Sequence, residues 1–230
     1  MKPLLIIKAG EKLSTLQHVA GDFEDWILEG MGWPRANSII VSVYKNETLP
    51  DVNTISGIVI TGSPAMVTDK EQWIERTASW LKNVVRTKLP VLGICFGHQL
   101  LAYSLGGVVS DNSKGIEVGS VNMTLLETER DALFFGLADN LNVQVSHQQS
   151  VVSLPAGVHL LAKTELDEHH AFRFGETAWG IQFHPEFNKT IVDKYVEYYQ
   201  AETGDNLKIN KTIETPQAAL ILQKFSKLLK

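Results

Sequence analysis

Residues 90–107 read "PVLGICFGHQLLAYSLGG". The run from Leu89 to Cys95 has the composition of a short buried strand. The run from Phe96 to Leu105 reads as a helix closed by Gly106. A strand that passes directly into a helix needs a tight turn, and the residue at its apex is held in a strained backbone conformation. Side chains on the flanking residues would clash there. Gly93 and Gly97, two before and two after the apex, remove that clash, and the apex residue is Cys95, the chain's one cysteine. This geometry lifts a side chain clear of the sheet and points a helix N-terminus at it, which favours thiolate over thiol. A free cysteine is also an ordinary small core residue, so the surrounding chain has to decide between the two readings.

Working outward, the first half alternates strands and helices. "PLLIIKAG" is a buried strand, "NSIIVSVY" a second and "GIVITG" a third, next to the Cys95 strand in the usual order. Leu13, Leu16, Val19, Phe23, Trp26, Ile27 and Met31 recur at helical spacing, with Ser14 as a cap. Thr68 and Glu71 form a capping-box pattern before a helix carrying Trp73, Ile74, Trp80, Leu81, Val84 and Val85. Alternation of this kind predicts a parallel sheet covered on both faces. The second half predicts strands in "VGSVNMTLLET", "LNVQVSH", "VHLLAKT", "HHAFRFGE" and "AWGIQFH". The last two are joined by a short turn near Glu176 and Thr177, a hairpin and hence an antiparallel addition to the sheet. Helices are predicted near Thr190–Glu202 and from Thr215-Pro216 onward. No repeat, low-complexity tract or linker interrupts the chain, so residues 1–230 are expected to form one domain.

The 230 residues are 44% hydrophobic and 20% charged, with a net charge of −5 and no long basic run. That argues against nucleic acid or an anionic membrane as the main partner. One cysteine makes no internal disulfide, the apolar N-terminal run is too short for a signal peptide, and no segment reaches membrane-span length. A cytoplasmic protein is expected.

A thiolate nucleophile needs a base, and the base needs an orienting group. Of the 7 histidines, His184 is the best placed. It ends the strand "WGIQFHPE", and in extended chain Glu186 would point to the same side, free to hold one ring nitrogen while the other faces Cys95. In doubly wound sheets ligands sit at the carboxyl ends of strands, where both Cys95 and His184 fall. Gly62 and Ser63 end the third strand in a Gly-Ser-Pro turn. Its backbone N–H groups, with that of Phe96, could face an oxyanion, although a plain turn explains the same residues.

Between Ile58 and Phe187 the chain resembles the class I (triad-type) glutamine amidotransferases, above all the glutaminase domain of GMP synthases and its free-standing relatives. The resemblance is carried by "TGSP", "PVLGICFGHQLLA", "VSHQQSV" and "GIQFHPE" in that order. It implies a flavodoxin-like three-layer α/β/α fold and a Cys95–His184–Glu186 triad. It also implies oxyanion-hole amides at Gly62 and Phe96, and substrate contacts at Ser63, Gln99, Ser146 and His147. The family loop usually reads S-H-x-D, and here its fourth position is Gln149. No cofactor is implied, and the sequence contains no metal-ligand spacing, P-loop or ATP site.

Three functions follow as expectations. The first is a glutaminase that releases ammonia for an acceptor or synthase subunit. The second is a γ-glutamyl hydrolase or peptidase acting on a larger γ-glutamyl amide, mildly favoured by Gln149. The third is a non-catalytic partner-binding module. The C-terminal segment 215–230, apolar at Ala219, Ile221, Leu222, Phe225, Leu228 and Leu229, is either a surface for such a partner or a helix packed on its own domain.

Overall fold

The computed structural model describes residues 2–126, 128–203 and 210–229. Five strands form a parallel half-sheet: β1 (Leu4–Lys8), β2 (Ser38–Ser42), β3 (Gly57–Ile60), β4 (Val91–Ile94) and β11 (Ala178–Ile181). Four more extend it antiparallel: β6 (Glu117–Leu125), β7 (Asn140–His147), β9 (Val158–Lys163) and β10 (Ala171–Phe174). The order across the sheet is β2-β1-β3-β4-β11-β10-β9-β6-β7. A separate ribbon pairs β5 (Val108–Asp111) with β8 (Gln149–Ser153).

The pleat of the parallel strands divides the core in two. Leu4, Ile6, Val59, Leu92 and Ile94 point to one face, where they meet α1 (Phe23–Met31) and α5 (Pro216–Ser226). Leu5, Ile7, Ile58, Ile60 and Val91 point to the other and meet α2 (Gln72–Val84) and α3 (Phe96–Ser104). This is the flavodoxin-like three-layer arrangement. The strand order reverses between β1 and β3, which opens a crevice at the carboxyl ends of β1, β3 and β4. A further helix, α4 (Lys189–Thr203), packs on β6 and β7.

Several local expectations change. The apolar run from Leu13 to Met31 is not one helix. Ser14–Leu16 form a single 3-10 turn, Gly21 takes φ +79°, and α1 begins after Asp22, whose side chain forms a capping box with Asp25. Thr68 does not cap α2. It lies in a 3-10 turn over Val67–Asp69, and its hydroxyl accepts a 2.7 Å hydrogen bond from Gln149. Strands β5 and β8 were not foreseen, because exposed Val108 and Val152 blur their alternation. Helix α5 buries Ala218, Ile221, Leu222 and Phe225 in the core, so most of its apolar face packs on its own domain, while Ala219 is half-buried and Leu220 exposed. None of the helices described is long and apolar enough to cross a membrane.

Candidate active site

Cys95 stands between β4 and α3 with φ 50° and ψ −103°, a region L-residues rarely occupy. Its neighbours explain how the chain can make that turn. A Cβ on Gly93 would lie 2.3 Å from the carbonyl oxygen of Gly97, and a Cβ on Gly97 would lie 2.5 Å from that of Ile60. The Cys95 amide is anchored to Ile181 of β11, at 2.8 Å. Phe96 opens α3, so its N–H is among those a helix start leaves without an intrahelical acceptor.

His184 reaches the cysteine because β11 is the parallel neighbour of β4, with Ile181 level with Ile94. The strand itself ends at Ile181. His184 lies three residues beyond, its amide donating to the Gln144 carbonyl at 2.8 Å. Glu186 is brought back by a turn, with the Phe187 amide bonding the His184 carbonyl, and not by extended alternation. Its Oε1 lies 2.7 Å from His184 Nδ1. The imidazole stacks on Phe187 at 4.0 Å between ring centroids and 7° between planes, with Phe23 stacked further off at 6.3 Å. Gly62 leaves room for it, since a Cβ there would lie 2.9 Å from His184 Cε1.

Burial works against a charged imidazole at His184. The charges of Glu186 and Cys95 and hydrogen bonds to both more than offset it, and its pKa is raised to about 10. The thiol also lies 3.7 Å from the backbone oxygen of Ser146.

The remaining predicted residues gather around the same cleft. Gln99, one turn into α3, donates its amide to the Gln149 carbonyl at 2.8 Å and to Gln182 at 3.0 Å. The Ser63 hydroxyl donates to the Ala9 carbonyl and accepts from the Ala65 amide, so it is engaged in its own turn. Ser146, His147 and Gln149 line the cleft at the junction of β7 and β8. The side chain of Gln149 turns outward to Thr68 and Asp111. Sequence reasoning missed the far wall, formed by Tyr195, Tyr198 and Tyr199 of α4. It also missed Glu117, which bonds His147 at 2.9 Å from inside the sheet. The tyrosines were legible as helix but not as a face, and nothing local marks Glu117.

Glu117, His147 and His170 bring potential ligand atoms within 4.8 Å of one another. An ion held between Glu117 and His147 Nε2 would have to displace the hydrogen bond that joins them.

A family model for glutamine amidotransferase class-I matches residues 22–199. The chain belongs to that family. A GMP synthase (glutamine-hydrolyzing) from Porphyromonas gingivalis is 40% identical over 146 residues, 63% of this chain. That alignment spans only 28% of the synthase. Gamma-glutamyl peptidase 3 of Arabidopsis thaliana is 33% identical over 180 residues, 75% of this chain and 72% of the peptidase. A solved glutamine amidotransferase from Methylobacillus flagellatus superposes with a TM-score of 0.77 at 22% identity, covering 100% of this chain and 96% of that one, a likeness of fold. Members of the class I amidotransferase family are typically enzymes.

Proposed function

We propose that this amidotransferase-family chain cleaves the side-chain amide of glutamine, with Cys95 as nucleophile, His184 as acid and base, and Glu186 as the group that orients His184. The observation that carries this reading is the line Cys95–His184–Glu186. The sulfur sits at a strained apex at the end of β4, and the imidazole is fixed beyond β11 between a carboxylate 2.7 Å away and the thiol.

In the chemistry this supports, the Cys95 thiolate attacks the amide carbon and forms a tetrahedral intermediate. Its oxyanion is stabilised by the backbone amides of Gly62 and Phe96. His184 gives its proton to the departing nitrogen and ammonia leaves. A γ-glutamyl thioester remains on Cys95. Neutral His184 then takes a proton from water, which attacks the thioester, and glutamate departs as the thiol is restored. Gln99, Ser146 and His147 border the volume the substrate would fill, and Ser63 holds the turn that presents Gly62. Ammonia would pass to an acceptor enzyme, as the likeness to the GMP synthase suggests.

A second reading is favoured by one observation. The peptidase relative is matched over most of its length and the synthase over little more than a quarter. Under it the same triad cleaves a γ-glutamyl amide larger than glutamine, and an amine leaves in place of ammonia. Steady-state release of ammonia from glutamine, and of amine from γ-glutamyl peptides, separates the two. Turnover of a γ-glutamyl peptide above about 10⁴ M⁻¹s⁻¹ in kcat/KM, with glutamine far slower, selects the peptidase. Slow glutamine hydrolysis that an added synthase accelerates selects the glutaminase subunit. Native-level turnover by Cys95→Ala would refute both.

A further inference from the structure

Behind the cleft, reached through His147, lies a buried polar cluster that takes no part in the proposed proton transfers. His147 is 3% exposed, and both of its ring nitrogens face acceptors. Nδ1 is 3.0 Å from the backbone oxygen of Gln149, and Nε2 is 2.9 Å from Oε2 of Glu117. A neutral imidazole has one N–H and can satisfy one of these. The carbonyl of Gln149 cannot donate, so Nδ1 carries a proton. The proton between Nε2 and Glu117 then belongs either to the ring or to the carboxyl group.

The surroundings of Glu117 place it on the ring. Its Oε1 already accepts from Thr164 at 2.9 Å, and His170 lies 4.0 Å from Oε2. Burial opposes its charge, but the hydrogen bonds from His147 and Thr164 hold Glu117 below the usual carboxylate range. Burial likewise opposes the charged form of His147. The Glu117 hydrogen bond and charge, with Asp167 and Cys95, raise its pKa to about 9. The titratable groups facing His147 are therefore Glu117 on β6, Asp167 and His170 before β10, His98 on α3 and Cys95 at the start of α3. His98 is buried and neutral, its pKa lowered to about 3 chiefly by desolvation, and His170 bonds Asp167 at 3.2 Å.

We propose that Glu117 and His147 are a positioning pair: Glu117 keeps His147 as a standing imidazolium whose charge favours the Cys95 thiolate and whose two hydrogen bonds clamp the Ser146–Gln149 turn over the sulfur. His147 follows directly on Ser146, whose carbonyl lies 3.7 Å from Sγ, so fixing the ring fixes that carbonyl. The imidazolium acts on the sulfur, whereas Glu117 acts only through His147. This deepens the reading of Cys95 as nucleophile and rests on it.

The test compares native protein with Glu117→Gln, which keeps shape and can still accept from Thr164 while turning its amide N–H toward Nε2. His147 is then neutral. The readout is the pH dependence of Cys95 alkylation by iodoacetamide. The acid limb of the Glu117→Gln profile is expected about one pH unit higher, or about tenfold slower alkylation at a given acidic pH. Glu117→Asp, which keeps the charge, should recover part of the shift. Coincident native and Glu117→Gln profiles would overturn the proposal.

If Glu117→Gln does not fold, ¹⁵N NMR of the native imidazoles decides. Both His147 nitrogens should carry protons at pH 7.5, and an unprotonated Nε2 would overturn the proposal. Neither readout uses a substrate. A chain that passes both yet leaves glutamine and γ-glutamyl peptides intact refutes the proposed function and not the pair.

Discussion

A Cβ placed on Gly93 would come within 2.3 Å of the Gly97 carbonyl oxygen, so the strand before Cys95 and the helix after it touch backbone to backbone. That contact leaves Cys95 at φ 50°, where any side chain is strained at a cost of about 1–3 kcal/mol. Glycine relieves such strain and alanine does not. Cys95→Gly should therefore be more stable than Cys95→Ala, by about 1 kcal/mol in urea unfolding, although glycine is ordinarily the less stable choice. Alanine as the more stable variant would mean the apex is relaxed.

Gly93→Ala tests the same contact from the other side. The obstructing atoms are backbone and cannot rotate away, so the variant should lose about 3 kcal/mol or more, or fail to fold. A loss below about 1 kcal/mol, measured by the same unfolding, would show that α3 can slide away from β4.

Within the triad the effects should be ordered. His184→Ala removes the group that handles both proton transfers and should cost about as much in kcat as losing the thiol. Glu186→Gln keeps an acceptor for Nδ1 while removing the charge, so it should cost clearly less. Equal losses in steady-state kinetics would assign the carboxylate a direct part in proton transfer.

His98 gives a pH signature independent of catalysis. It is wholly buried against Phe172, with Nδ1 close to the Gly180 backbone and neither ring nitrogen in a hydrogen bond of good geometry. Its native pKa is lowered to about 3, mainly by desolvation. Between about pH 6.5 and 3 the unfolded chain therefore binds a proton there that the native chain does not, and stability falls as pH falls, by about 1.4 kcal/mol per unit for one such group. In His98→Leu the acid-side slope of unfolding free energy against pH should be shallower, whatever its absolute level. An unchanged slope would mean His98 is protonated, or water-bonded, in the native state.

How much of this was legible follows from what is local. The elbow could be read because Gly-x-Cys-x-Gly is a contiguous solution to a contiguous problem. Cys95 and His184 were expected at the ends of neighbouring strands, and the pairing of β4 with β11 does bring their segments side by side, although β11 stops at Ile181 and His184 lies three residues past it. Spacing alone extends helix α1 too far toward the N-terminus, because Leu13, Leu16 and Val19 happen to continue its period. The punctuation at Gly21-Asp22, which ends that pattern, carried more weight than periodicity. Thr68 and Glu71 have the spacing of a capping box, whereas the Thr68 hydroxyl is used by Gln149, 81 residues away. Glu117 left no local trace, since its partner His147 lies 30 residues on and is brought level by the β6–β7 pairing.

The most direct measurement is mass spectrometry of the chain after reaction with a diazo-ketone analogue of glutamine, alongside its residual hydrolytic rate. Cys95 as nucleophile predicts one adduct per chain, on the peptide containing Cys95, forming in step with loss of hydrolysis and absent in Cys95→Ala. An adduct on another residue that accompanies the loss, or full hydrolysis persisting in Cys95→Ala, would contradict it.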